Sequence, residues 1–199
     1  AQGRDVTLGP SPVPSDKQQI QHLLELEELN AQPDQLLTYY FWAEDVGPQG
    51  DIRRTSGDMY FAEVRHFEEV FRESESSPNQ QQQNQDQQGQ QQDGRQGEQL
   101  AQLQKQIISA TWNIKRQTDQ SGRIDDSKED LGVVHQSQAN VLEQARSASA
   151  QAEDPAASKT LQSAARHMEA SLEHLGEAVK SESATELTPA LAAEQSAYQ

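Results

Sequence analysis

A glutamine-rich tract from Asn79 to Gln92 separates two parts of this 199-residue chain that follow different periodicities. The tract has no apolar side chain, so nothing in it offsets the entropy cost of ordering its backbone. The tract therefore reads as a polar strap tethering a β part to a helical part. Before the tract, the run Leu36-Leu37-Thr38-Tyr39-Tyr40-Phe41-Trp42-Ala43 alternates along two apolar faces, the period of a strand. After it, Leu100, Leu103, Ile107, Ala110 and Ile114 recur at alternating spacings of three and four, the period of a helix seam.

In the strand-patterned part, Pro10, Pro12 and Pro14 forbid a central strand near the start. Gln19 to Leu29 fits either period and leans towards strand because the neighbouring run from Leu36 is one. Pro33-Asp34 is the turn between them. Glu44 to Gly57 reads as a loop, and Asp58 to Arg65 as a further strand. With residues 4–9 this makes three or four strands. Residues 66–75 then change period, with Phe67, Val70 and Phe71 spaced for a short amphipathic helix.

Residues 76–98 are expected to be a disordered linker, since Gly89, Gly94 and Gly97 argue against a continuous helix. From 99 to 185 three helices are expected. The first carries Ile107 in its seam, with Ile108 and Trp112 flanking it, and ends before Ser121-Gly122. The second opens on a capping box, Asp126-x-x-Glu129, and carries Leu131, Val134, Gln138, Val141, Ala145 and Ala148. The third starts at Asp154-Pro155, a cap followed by proline in the first turn, and carries Leu161, Ala165, Met168, Leu172, Leu175 and Val179. Residues 186–199 repeat the cap-plus-proline signal at Thr188-Pro189 and read as the start of a truncated further helix.

Charge and composition exclude several classes of function. The net charge is −16, and no segment gathers a basic patch, so a phosphate backbone or an anionic lipid surface is repelled. There is no cysteine, which removes disulfides, thiol nucleophiles and thiolate metal sites. No apolar run approaches the roughly 18 residues that signal a membrane-spanning helix. Apolar residues are 33% of the chain, and past Phe71 the aromatics are Trp112 and Tyr198 alone. The second part must therefore build its core from Leu, Ile, Val and Ala.

No set of residues forms a catalytic or cofactor motif. His167 and His174 share a helical face near Glu173 and Glu177 but lack the His-Glu-x-x-His spacing of a zinc site. Glu44, Asp45, Asp51 and Asp58 are an acidic group without the calcium-loop pattern. No Gly-x-Ser-x-Gly elbow and no glycine-rich phosphate loop occurs. The residues singled out are structural: Tyr39, Phe41, Trp42, Tyr60, Phe67, Phe71, Ile107 and Trp112. Tyr39, Phe41, Tyr60 and Val64 are expected to be buried together, and Trp42 and Trp112 to be core anchors.

The segment Leu29 to Asp45, with its leucine, proline corner, tyrosine and alternating strand, resembles the late strands of an immunoglobulin-like or fibronectin-type-III-like sandwich. Phe41-Trp42-Ala43-Glu44-Asp45, the stretches Thr55 to Arg65 and Phe67 to Glu73, and Gln104 to Asn113 resemble segments of large membrane-anchored bacterial proteins known only as a domain of unknown function. That resemblance implies Ig-like β domains followed by a low-complexity, helical C-terminal region, with a membrane anchor upstream.

The expected fold is therefore a multi-part α+β chain. Residues 1–65 form a partial Ig-like antiparallel sandwich, followed by the linker and a helical bundle or coiled coil, and the chain is an internal fragment beginning at an arbitrary cut. The expected function is a non-enzymatic cell-envelope scaffold that binds protein partners through its helices, with this portion soluble and extracytoplasmic. It needs no cofactor or metal, binds no nucleic acid and meets the membrane only through the upstream anchor. The alternative is a β module that recognises a peptide or glycan.

Overall fold

The computed structural model describes residues 4–9, 19–33, 35–64 and 87–199, and of 87–94 the backbone alone. Two antiparallel strands, β1 (Leu36–Val46) and β2 (Ile52–Glu63), form a hairpin. Four helices follow: α1 (Gln87–Ser121), α2 (Lys128–Gln151), α3 (Pro155–Ser181) and α4 (Leu187–Tyr198). The architecture is α+β. The expected short helix over 66–75, with Phe67 and Phe71, lies outside the described residues, as does the linker up to 86.

The hairpin is longer than its alternation suggests. Glu44 to Gly57 is not one loop: both strands run through it to a tight turn between Val46 and Ile52. Cross-strand charge pairing explains the extension. Arg53 forks onto Asp45, with Nε donating to Oδ1 at 3.0 Å, and Arg54 reaches Glu44 at 2.7 Å. Opposite charges facing across an antiparallel ladder are favourable where like charges are not. Gly50, at φ +83°, supplies the left-handed corner of the turn. The expected third and fourth strands are absent: residues 4–9 and 19–25 take no strand geometry, and 26–30 form a turn. With their leucines spaced for both periods, residues 19–29 satisfy neither.

The helices form a four-membered bundle in which each packs on the next and α4 closes back onto α1. The connections carry the expected punctuation in part. Gly122, at φ +68°, ends α1, and its N–H returns to the Thr118 carbonyl at 2.8 Å. Asp154 caps α3 by accepting from the Ala156 N–H at 3.0 Å. The capping box at Asp126 does not form. A single 3₁₀ turn, Asp125–Ser127, leads into α2 without a side-chain cap. Likewise α4 begins at Leu187 after a second 3₁₀ turn, Ala184–Glu186, so Thr188 and Pro189 lie inside its first turn.

Helix α1 also departs from expectation at its start, beginning at Gln87 and running through Gly89, Gly94 and Gly97. Glutamine has good helix propensity, and adding residues to an existing helix costs far less than nucleating one. The core runs along Leu100, Ile107 and Ile114 of α1, then Leu131, Val134, Val141 and Ala145 of α2. It continues through Ala165, Met168 and Leu175 of α3 to Leu187 and Ala190 of α4. The α2 seam is buried at every expected position. Residues 186–199, expected as the start of a truncated further helix, contain α4, which joins the bundle and buries Leu187, Ala190, Leu191, Glu194 and Ala197.

Among the described residues, no helix is long and apolar enough to cross a membrane.

Candidate functional site

One face of the hairpin lies on α1 and α4. Leu36, Ile108, Trp112 and Leu191 form a small core of their own, with Met59, Phe61 and Tyr198 packed around it. The layer that a sandwich fills with a second sheet is here filled by two helices. Trp112 is the anchor. It is 6% exposed, its ring centroid lies 4.2 Å from that of Tyr40, and its indole N–H donates to the Gly57 carbonyl at 3.1 Å.

A bulge makes that carbonyl available. Between the Tyr40–Met59 and Trp42–Ser56 pairs, the single residue Phe41 faces two, Gly57 and Asp58. A bulge withdraws backbone groups from the ladder and turns them elsewhere. Glycine suits the position, because a Cβ at 57 would stand 3.4 Å from the Phe41 carbonyl oxygen, at the near limit of ordinary contact, and leave little room for a larger side chain. Polar contacts surround the anchor. Arg116 reaches Asp58 at 2.7 Å, and Gln195 donates to Thr38 at 3.1 Å. Tyr198 donates to Glu63 at 2.5 Å, and Lys105 pairs with the same carboxylate.

The other face of the hairpin carries Tyr39, Phe41 and Tyr60. They gather as expected, with Tyr39 stacked on Tyr60 at 5.4 Å and Phe41 edge-on to both at 6.0 and 6.2 Å. They are not buried, however: their exposures are 42%, 55% and 47%. The expectation of a common core fails because alternation puts these side chains on the face away from the helices, and no described element covers that face. Val64 is half-buried. Trp42 is not a core anchor either. It is half-buried under the guanidinium of Arg54, whose carbon sits 4.0 Å from the ring centroid. Ile107 and Trp112 are buried, as expected, but in different cores.

A second feature has no precedent in the sequence motifs. At the centre of the bundle lies a polar layer to which all four helices contribute: Gln104 and Thr111 from α1, Gln138 from α2, Ser171 from α3 and Glu194 from α4. Gln104 and Gln138 exchange amide hydrogen bonds at 3.3 and 3.4 Å, and Gln104 also donates to the Glu194 backbone carbonyl at 3.4 Å. One carboxylate oxygen of Glu194 accepts from Thr111 at 2.8 Å and from Ser171 at 3.2 Å. Gln138 was legible as a seam position. Gln104 and Thr111 were not: they sit one heptad apart beside Leu103 and Ala110, which took their place in the expected seam and are only partly buried.

The acidic residues weighed as a calcium loop are separated. Glu44, Asp45 and Asp58 each face an arginine. His174 lies 2.8 Å from Glu186, and His167 is exposed. Among the described residues, no three histidine or acidic side chains converge as a metal site would require. Compared with known proteins, the chain matches no family model, no curated protein and no solved structure.

Proposed function

We propose that this chain is a non-enzymatic interaction module in which the helical bundle is a rigid base and the hairpin is the recognition element. The observation that carries this reading is where large apolar side chains reach solvent. On the hairpin these are Tyr39, Tyr40, Phe41, Val46, Ile52 and Tyr60; the segment before it exposes the aliphatic Val6, Ile20, Leu23, Leu24 and Leu26 but no aromatic, and the described helices expose only Val133. Exposed aromatics that gather on one patch mark protein contacts more often than scattered ones do. The partner surface accordingly belongs on the hairpin, rather than on the helices as the heptads alone suggest.

The partner that fits is an extended protein segment adding to the hairpin edge. Leu36 to Ala43 carries no charge, so β1 lacks the edge lysines that deter such pairing. Side chains of the added strand would lie beside Tyr39 and Phe41 on β1, with Tyr60 one strand further away. A place in the bacterial cell envelope, with an anchor elsewhere in a longer protein, is part of this proposal and rests on the sequence resemblance. Recognition of a glycan by the same aromatic face is the second reading, since stacked tyrosines also suit a sugar ring.

The test is a photo-crosslinking residue placed at Phe41 and, separately, at Val133 in the full chain, in cells. Protein adducts at 41 and not at 133 support the proposal. Adducts at 133 alone move the partner to the helices, and retention on immobilised saccharide without protein adducts favours the glycan.

A further inference from the structure

A carboxyl group is sealed where the four helices meet. Glu194 is 0% exposed. Its Oε1 takes the hydroxyl hydrogens of Thr111 and Ser171, and among the described residues its Oε2 has no partner. Two neutral hydroxyls on one oxygen are poor replacement for the water that an ionised carboxylate loses on burial. The site therefore suits a neutral carboxyl and opposes a charged one.

Two routes relieve a charge there: proton uptake, or exit of the helix that carries it. Helix α4 is twelve residues long, a length that is marginal outside tertiary packing. The same helix holds one side of the hairpin, through Leu191 under the Trp112 core, Gln195 on Thr38 and Tyr198 on Glu63. We propose that protonated Glu194 latches α4 into the bundle, and that its ionisation releases α4 and with it this grip on the hairpin. Protonation in the core and presentation of the hairpin are thereby linked through one short helix.

No other titratable group on the packed elements hydrogen-bonds the Glu194 carboxyl. Lys105 of α1 reaches Glu63 and the Tyr198 ring, and Lys115 reaches Asp119. Arg116 reaches Asp58. His135 of α2 lies against Gly176, and on α3 His174 faces Glu186 while Arg166 and His167 are exposed. Both groups that touch the Glu194 carboxyl are hydroxyls. Burial pushes this carboxyl up to about 8 from an ordinary 4.5, with the Thr111 and Ser171 hydrogen bonds pulling the other way.

The docked helix thus binds one proton more than the released helix across that interval. The docked-to-released ratio is flat below about pH 4.5, falls about tenfold per pH unit up to about 8, and levels off above. The test is hydrogen exchange of the α4 amides in the full chain from pH 5 to 9, corrected for intrinsic exchange, in the wild type and in Glu194→Gln. The glutamine keeps the shape and cannot ionise. Protection that falls by up to tenfold per unit in the wild type, and stays flat in the variant, is the expected result. Parallel profiles would overturn the proposal. So would a Glu194 side-chain carbon signal that titrates in the ordinary carboxylate range in the folded wild type, a measurement that decides the matter even if the variant does not fold.

Discussion

The indole N–H of Trp112 donates to the carbonyl oxygen of Gly57 across 55 residues of chain, and this bond joins the two parts that the glutamine tract separates. Trp112 sits on α1 one turn beyond Ile108, and Gly57 sits in the bulge of β2. Removing the donor alone is expected to cost about 1 kcal/mol, the net value of one hydrogen bond. Trp112→Phe should therefore lower stability slightly, and Trp112→Ala by about 3–5 kcal/mol, because it also empties the contact beneath Tyr40. Urea unfolding gives both values. Equal costs for the two variants would show that the ring contact contributes little.

Gly57 is the partner position to probe. A Cβ there meets the Phe41 carbonyl oxygen at 3.4 Å, and further methyl groups crowd it more. Gly57→Val should cost about 1–3 kcal/mol by overpacking and should speed exchange of the hairpin amides. An unchanged unfolding midpoint would mean that the bulge yields without strain.

The Gln104–Gln138 pair gives a prediction about asymmetry. Replacing either one by leucine leaves the other amide buried and unpartnered, at about 1–3 kcal/mol. Replacing both should recover most of that loss. A double-mutant cycle measures the coupling, and strictly additive losses would show that the two amides do not rely on each other.

Ile107 is 5% exposed in the bundle core. Ile107→Asp puts a charge there without a partner and should remove about 3–5 kcal/mol, a large share of the stability of an ordinary domain. Circular dichroism reads this as lost helix, and an unchanged melting temperature would place the seam on the surface.

Much of the helical part was legible because its signals are local and periodic. Leu131 to Ala148 could be read directly, since a seam spaced by three and four buries itself wherever a neighbouring helix exists. The cap at Asp154 was legible for the same reason. The polar layer was not: Gln104 and Thr111 fall at seam spacing with Ile107 and Ile114, and Glu194 with Leu187, Leu191 and Ala197, but a polar side chain at such a position stays buried only where partners on other helices satisfy it. The strands were legible where apolar residues alternate and illegible from Glu44 to Gly57, where arginine–carboxylate pairs across the ladder hold them together. Which face of β1 points inward depends on where α1 and α4 lie, and that is a long-range fact. Tyr39, Phe41 and Tyr60 were rightly grouped and wrongly buried for that reason.

The central claim is that the hairpin is pinned by one face and offers the other. Hydroxyl-radical footprinting of the full chain measures both faces at once. Tyr39, Phe41 and Tyr60 should be modified rapidly, while Trp112 of α1 should be protected until the chain is unfolded and Met59 and Phe61, half-buried around it, should be partly protected. Protection of Tyr39, Phe41 and Tyr60 equal to that of Trp112 would contradict the account, because it would mean that the aromatic face is already covered.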